Sequence, residues 1–206
     1  MALVCGKAEV KKAVYSLIGA LFLILIPAIT KPVHADADRW SVDMADSRLG
    51  FIATQASAEF KGQFHKFSAD ISFSPDDLAH SLVDIKIDML SVDTQSRDRD
   101  STLPSSDWFH TSVFPTARFF ADRFVDKGEG RFEAHAKLTM RDISHSVVLP
   151  FELTIEHDPK GARAKVRGQL DILRTAWGVG QGQWADTSTV GDKVVVTVEL
   201  TATRPN

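Results

Sequence analysis

Val83-Asp84-Ile85-Lys86-Ile87-Asp88-Met89 alternates apolar and charged side chains without a break. A period of two places the apolar residues on one face of an extended chain; an amphipathic helix would need them three and four apart. The same period recurs in both directions. Upstream lie Trp40, Val42 and Met44, then Phe67, Ala69, Ile71 and Phe73. Downstream come Phe132, Ala134, Ala136 and Leu138, then Val147, Leu149, Phe151, Leu153 and Ile155. Ala164, Val166, Gly168, Leu170 and Ile172 follow, and Val194, Val196, Val198 and Leu200 close the series. Seven such stretches exclude a helical fold.

Turn residues separate the stretches: Ser74-Pro75-Asp76-Asp77, Asp126-Lys127-Gly128-Glu129-Gly130 and Asp158-Pro159-Lys160-Gly161. Connections this short predict antiparallel pairing of consecutive strands. Ser96 to Thr111 breaks the pattern with Arg97-Asp98-Arg99-Asp100, Leu103, Pro104 and Asp107-Trp108-Phe109. It reads as a loop with short helical turns across one end of the sheet. The choice lies between a sandwich and a closed barrel; about eight strands of about 8–13 residues favour a barrel, which leaves no edge exposed.

The N-terminus follows a different rule. Lys7, Lys11 and Lys12 precede an uncharged run from Ala13 to Thr30, broken by Pro27 and followed by Val33-His34-Ala35. A basic start, an apolar middle and a small-x-small exit predict a secretory signal peptide over residues 1–35, cleaved after Ala35. An uncleaved anchor is the rival reading, since eighteen uncharged residues approach the length of a span. Either way the remaining chain, one domain over 36–206, is expected outside the cytoplasm, in the periplasm.

Without residues 1–35 the chain keeps 171 residues, 20 basic and 26 acidic groups, and no cysteine. An acidic domain is a poor nucleic-acid binder. Lack of cysteine excludes thiol catalysis, c-type haem attachment and cysteine-ligated clusters. The six remaining histidines, His65, His80, His110, His135, His145 and His157, show no ligand spacing. His135 and His145 flank one hairpin, but two ligands do not close a zinc site, so no metal is expected. No serine sits in a G-x-S-x-G elbow. Gly178-x-Gly180-x-Gly182 does not open a helix after a parallel strand, so it reads as a bend between the last two strands, not a nucleotide loop. No catalytic set and no cofactor are expected. The twelve remaining phenylalanines are the main clue: a barrel of this size is either filled by its own side chains or holds one ligand.

Taken in order, these residues resemble the YceI-like family of secreted, lipocalin-like, polyisoprenoid-binding proteins. Trp40-Ser41-Val42-Asp43, Ser47 and Phe51 resemble its opening strands, and Gly62-Gln63-Phe64 with Phe67 and Ile71-Ser72-Phe73 its G-x-F stretch. Arg99-Asp100-Ser101-Thr102-Leu103 matches an R-D-x-x-L motif, followed by Asp107-Trp108-Phe109, Pro115 and Phe119. Leu138-Thr139 and Val147–Pro150 sit at the family's hairpin, and Arg174 with Trp177-Gly178-Val179 resembles its late R-x-x-F-G signature. Asp142 stands where a turn glycine is usual, Ala176 replaces an acidic residue, and Trp177 replaces Phe.

The resemblance implies an eight-stranded antiparallel barrel holding an isoprenoid lipid, a quinone or a polyprenyl phosphate. The Gly180–Trp184 extension resembles a subgroup associated with cytochrome b561-type membrane proteins, which implies such a partner. Oligomeric state stays open, a dimer included. One face of each strand then supplies a ligand wall: Phe67, Ile71, Phe73, Val83, Ile85, Ile87, Phe119, Val147, Leu149, Phe151, Leu170 and Ile172. Arg99 and Arg174 are candidates for a polar head, because guanidinium forks match phosphate or quinone oxygens. The alternative for Arg99 is a pairing with Asp98, Asp100 or Asp107 that fixes the loop. Trp108, Phe109 and Trp177 line the mouth or plug the barrel end. A filled barrel docking a membrane redox protein is the alternative to a carrier; a hydrolase would need polar residues inside.

Overall fold

The computed structural model describes residues 39–205; the signal-peptide reading of 1–35 lies outside the described residues. Eleven strand segments are present among them. In chain order they are β1 (Arg39–Val42), β2 (Arg48–Gln55), β3 (Ala58–Phe64), β4 (Phe67–Ser72), β5 (Leu82–Asp88), β6 (Val92–Asp93), β7 (Thr116–Gly128), β8 (Arg131–Met140), β9 (Ile143–Asp158), β10 (Gly161–Leu173) and β11 (Lys193–Pro205). One α-helix, α1 (Arg97–Thr102), lies in the segment that broke the alternation.

Six of the segments are halves of three interrupted staves, 39–55, 58–72 and 82–93. β1 pairs with β4 while β2 pairs with β3, and β6 continues β5 along the same neighbour. Counted as staves, consecutive strands pair antiparallel throughout, and β11 closes the ring on β1 and β2. The result is the eight-stranded antiparallel barrel that the alternation and the short turns predict. At the three interruptions side chains stand in for ladder bonds: Ser47 Oγ accepts from Thr201 N, and Ser91 Oγ accepts from Lys66 N.

Local chemistry explains the irregular points. Phe119 stands inward between Ile85 and Leu138, but a register shift between Ala121 and Arg123 moves the inward face of β7 onto Phe124. That bulge hides the period of two in this strand. Arg141 and Asp142, at φ 50° and 59°, form the two-residue turn from β8 to β9, a hairpin geometry that needs positive φ twice. Asp142 is tolerated there because a short polar side chain can stabilise that conformation.

The two ends of the barrel are closed differently. At one end, reached by the short turns 74–81, 128–130 and 158–161, four phenylalanines meet. Phe73 packs its ring edge-on against Phe124, Phe132 and Phe151 at 5.1, 5.6 and 6.0 Å between centroids, and Phe132 stacks on Phe151 at 5.5 Å. Edge-to-face arrangement at these distances is the favoured geometry for aromatic rings. Trp40 is buried beside them, its indole donating to Phe73 O at 2.9 Å. The other end carries α1, the loop to Pro115 and the loop 174–192.

Candidate functional site

Side chains do not fill the barrel. They leave a cavity of about 400 Å³, walled by inward residues of every stave. Ile71, Phe73, Val83, Ile85, Ile87, Phe119, Leu149, Phe151, Leu170 and Ile172 lie on its wall, and Arg99, Trp108, Phe109 and Arg174 border it at the looped end. Three expected positions do not reach it. Phe67 and Val147 pack against the surrounding core instead, with Leu138 and Leu149 forming the lining near Val147. Trp177 is buried outside the cavity, donating to Leu138 O at 3.0 Å with His145 edge-on 4.8 Å away.

Other lining residues escaped the sequence reading. Phe51, Phe60 and Phe64 form an aromatic strip with Phe109, ring centroids 5.7–6.3 Å apart. The signal was faint because β2 carries Ile52 on its outer face, which blurs the alternation. Gly62 is required beneath that strip: a Cβ there would stand 2.3 Å from the Phe51 ring.

Polar chemistry is confined to the looped end, where Gln55, Asp98, Arg99, Thr102 and Arg174 border the cavity. Asp98 is also exposed, so the lining reaches solvent beside α1. The remaining wall is apolar, and among the described residues no set of nucleophile, base and acid converges inside. His135 and His145 have separate partners: His135 meets Arg123, while His145 contacts Ala176 O.

Arg174 is only 3% exposed. It spends all five N–H groups on main-chain carbonyls: Nε on Gly191, Nη1 on Val179 and Gly180, Nη2 on Trp184 and Val190, at 2.8–3.2 Å. The expectation that it serves a ligand head is therefore corrected: its fork has no donor left to offer. Burial lowers its pKa from the usual value, opposed by the nearby Asp192 carboxylate. Its role is to gather the 178–191 loop. Gly180, at φ +82°, leaves room for it; a Cβ would come within 1.9 Å of Nη1.

Arg99 does not pair with the neighbouring aspartates either. Nε and Nη2 donate to Thr94 Oγ1 and O, Nη1 donates to Gln55 Oε1, and the guanidinium lies 4.2 Å from the Phe60 ring centroid. Asp100 grips the same Thr94, accepting from its N and Oγ1 at 2.9 and 2.7 Å. The R-D-x-x-L motif thus clasps one buried threonine, with Leu103 turned onto the cavity. Both loops join into one lid, because Asp107 O accepts from Gly180 N and Gln181 N at 2.8 and 2.7 Å. Beneath it Trp108 lies 5.5 Å from the Trp184 ring, its own buried indole N–H without an acceptor.

A closed eight-stave barrel with this motif order matches one family model, the YceI-like domain, over residues 40–202. The chain belongs to the YceI-like family. It is 30% identical over 150 residues to a UPF0312 protein of Vibrio campbellii, covering 70% of this chain and 79% of that one. Among solved structures it is similar to Burkholderia cenocepacia BcnA, with TM-score 0.71 and 29% identity over 78% of this chain and 99% of that one. A polyisoprenoid binding domain from Saccharophagus degradans, implicated in plant cell wall breakdown, shares the fold at TM-score 0.62 and 16% identity, over 82% of this chain and 99% of that chain.

Proposed function

We propose that this YceI-family protein carries one long isoprenoid lipid inside the barrel, in the periplasm, after export through the segment 1–35. The observation that carries the proposal is the apolar cavity of about 400 Å³. Leaving apolar volume unfilled costs packing energy that a filled core would gain. A barrel serving only as a docking module has no reason to bear that cost. The polyisoprenoid-binding domain with the same fold supports the choice of ligand class. The partner suggested by the Gly180–Trp184 resemblance is a membrane protein of the cytochrome b561 type.

Burying a hydrocarbon tail yields about 25 cal/mol per Å² relative to water. A bilayer offers the tail nearly the same gain, so net preference over membrane is small and exchange reversible. The test is transfer of a fluorescent prenyl lipid between donor and acceptor liposomes. Catalytic amounts of the protein are expected to raise the transfer rate at least severalfold; an unchanged rate overturns the carrier reading.

A further inference from the structure

β10 pairs with β11 along its whole length, from Gly161 to Leu173, but with β9 only as far as Gly168 opposite Phe151. Beyond that point β9 pairs with β8 alone, down to Ile143. Among the described residues no main-chain hydrogen bond joins 143–150 to 169–173. The sequence supplies the reason. Leu153 N donates to Gly130 O, on the β8 side, so along β9 the even-numbered residues turn their main-chain groups towards β10. The first even position past the paired stretch is Pro150, which has no N–H to give. Side chains hold this gap instead. His145 Nε2 contacts Ala176 O at 3.0 Å, and Trp177, edge-on to His145, donates to Leu138 O on β8.

Resting on the cavity as the lipid site, we propose that this gap is a side gate, through which the hydrocarbon tail passes between the cavity and a bilayer surface, with His145 and Trp177 as its latch. Parting β9 from β10 here breaks no main-chain bond, whereas parting β10 from β11 would break a full ladder. Both sides of the gap reach the cavity: Leu149 on β9, and Leu170 and Ile172 on β10, stand on its wall. The outer rim is apolar where an open strand edge in water is ordinarily guarded by charge, for Ile143, Val148 and Leu173 are all exposed. Such a rim suits the headgroup–acyl boundary of a bilayer. Ser144, Ser146 and Asp171 are exposed beside it, which sets the contact at headgroup depth, where water still reaches the unpaired main chain. The opening beside α1 is a poorer path for hydrocarbon, because Asp98 and Arg99 border it and stripping water from charged groups is costly.

The test is the liposome transfer assay on the full chain carrying Cys5→Ser, so that introduced thiols are the only ones. Val148→Cys with Asp171→Cys puts thiols on positions that the β9–β10 register, continued past the gap, sets opposite each other. Joining them with a bismaleimide linker that contains a cleavable disulfide is expected to slow transfer about fivefold or more, and reductant to restore it, which excludes misfolding. The same linker on Thr154→Cys with Lys165→Cys, partners in the paired part, is expected to leave the rate unchanged. Undiminished transfer with the gap linked overturns the gate alone, whereas no transfer by the unlinked protein overturns the carrier reading beneath it. A dimer in light scattering that the gap linker abolishes would assign the open edges to strand pairing with a second copy and overturn the gate. Trp177→Phe keeps a ring and removes the N–H held by Leu138 O. It is expected to speed transfer about two- to fivefold; an unchanged or slower rate would overturn the latch.

Discussion

The two ends of the barrel are closed by opposite means. The phenylalanine end is sealed by side chains that belong to the strands themselves: Phe73, Phe124, Phe132 and Phe151 point inward and meet. The looped end is sealed by main chain, its carbonyls drawn onto two guanidinium groups, that of Arg174 and that of Arg99, which holds Thr94 O. A side-chain seal is dry and featureless, whereas a main-chain seal leaves polar groups at the rim. The difference explains why the cavity has a polar end at all, and why that end is where a head group would sit.

The largest way to break this contrast is Arg174→Met. Five carbonyls would lose their donor in a buried setting, and a cost on the order of 3–5 kcal/mol is expected in urea unfolding. A cost below about 1 kcal/mol would mean that the loop closes without its cation. Next comes Phe73→Ala at the other end, expected to cost about 3 kcal/mol, the low side of the usual range because one side of the ring already borders open volume. Because Phe73 and Arg174 share no partner, the double variant should be additive to within about 0.5 kcal/mol; a larger coupling would show that the ends act together.

The smallest effect serves as a control on the outer wall. Arg118 grips Asp84 with a two-pronged contact at 2.7 and 2.9 Å, and that hydrogen bonding holds the Asp84 carboxyl below the usual carboxylate range. A depressed folded-state pKa means stabilisation present above the unfolded value and lost as pH falls through the folded one. Asp84→Asn is therefore expected to lower Tm by under about 2 °C near neutral pH and by nothing in strong acid. A difference that persists in acid would point to packing instead.

How much of this was legible follows the same division. Phe73, Phe132 and Phe151 fall on the period of two, so the wall and one end could be read directly. Phe124 could not, because the bulge after Ala121 shifts its parity. At the looped end residue type suggested polar roles for Arg99 and Arg174 but misjudged their partners. Charge pointed Arg99 to adjacent aspartates, while the fold gives it Thr94 and Gln55. Arg174 binds carbonyls of Val179, Gly180, Trp184, Val190 and Gly191. Every residue has a carbonyl, so sequence carries no mark of which ones a guanidinium will collect.

The three interrupted staves have a mechanical meaning. Their gaps, at 43–47, 65–66 and 89–91, fall side by side across neighbouring staves, because β1–β4 and β2–β3 pair on either side of the same level. Hydroxyl bridges from Ser47 and Ser91 span the line. Main-chain bonds persist beside them, from Asp43 N to Thr201 O, His65 N to Ser91 O and Asp88 N to Lys66 O. Three-eighths of the wall therefore carries a seam that hydroxyls and main chain hold together, while the other five staves run without such a gap.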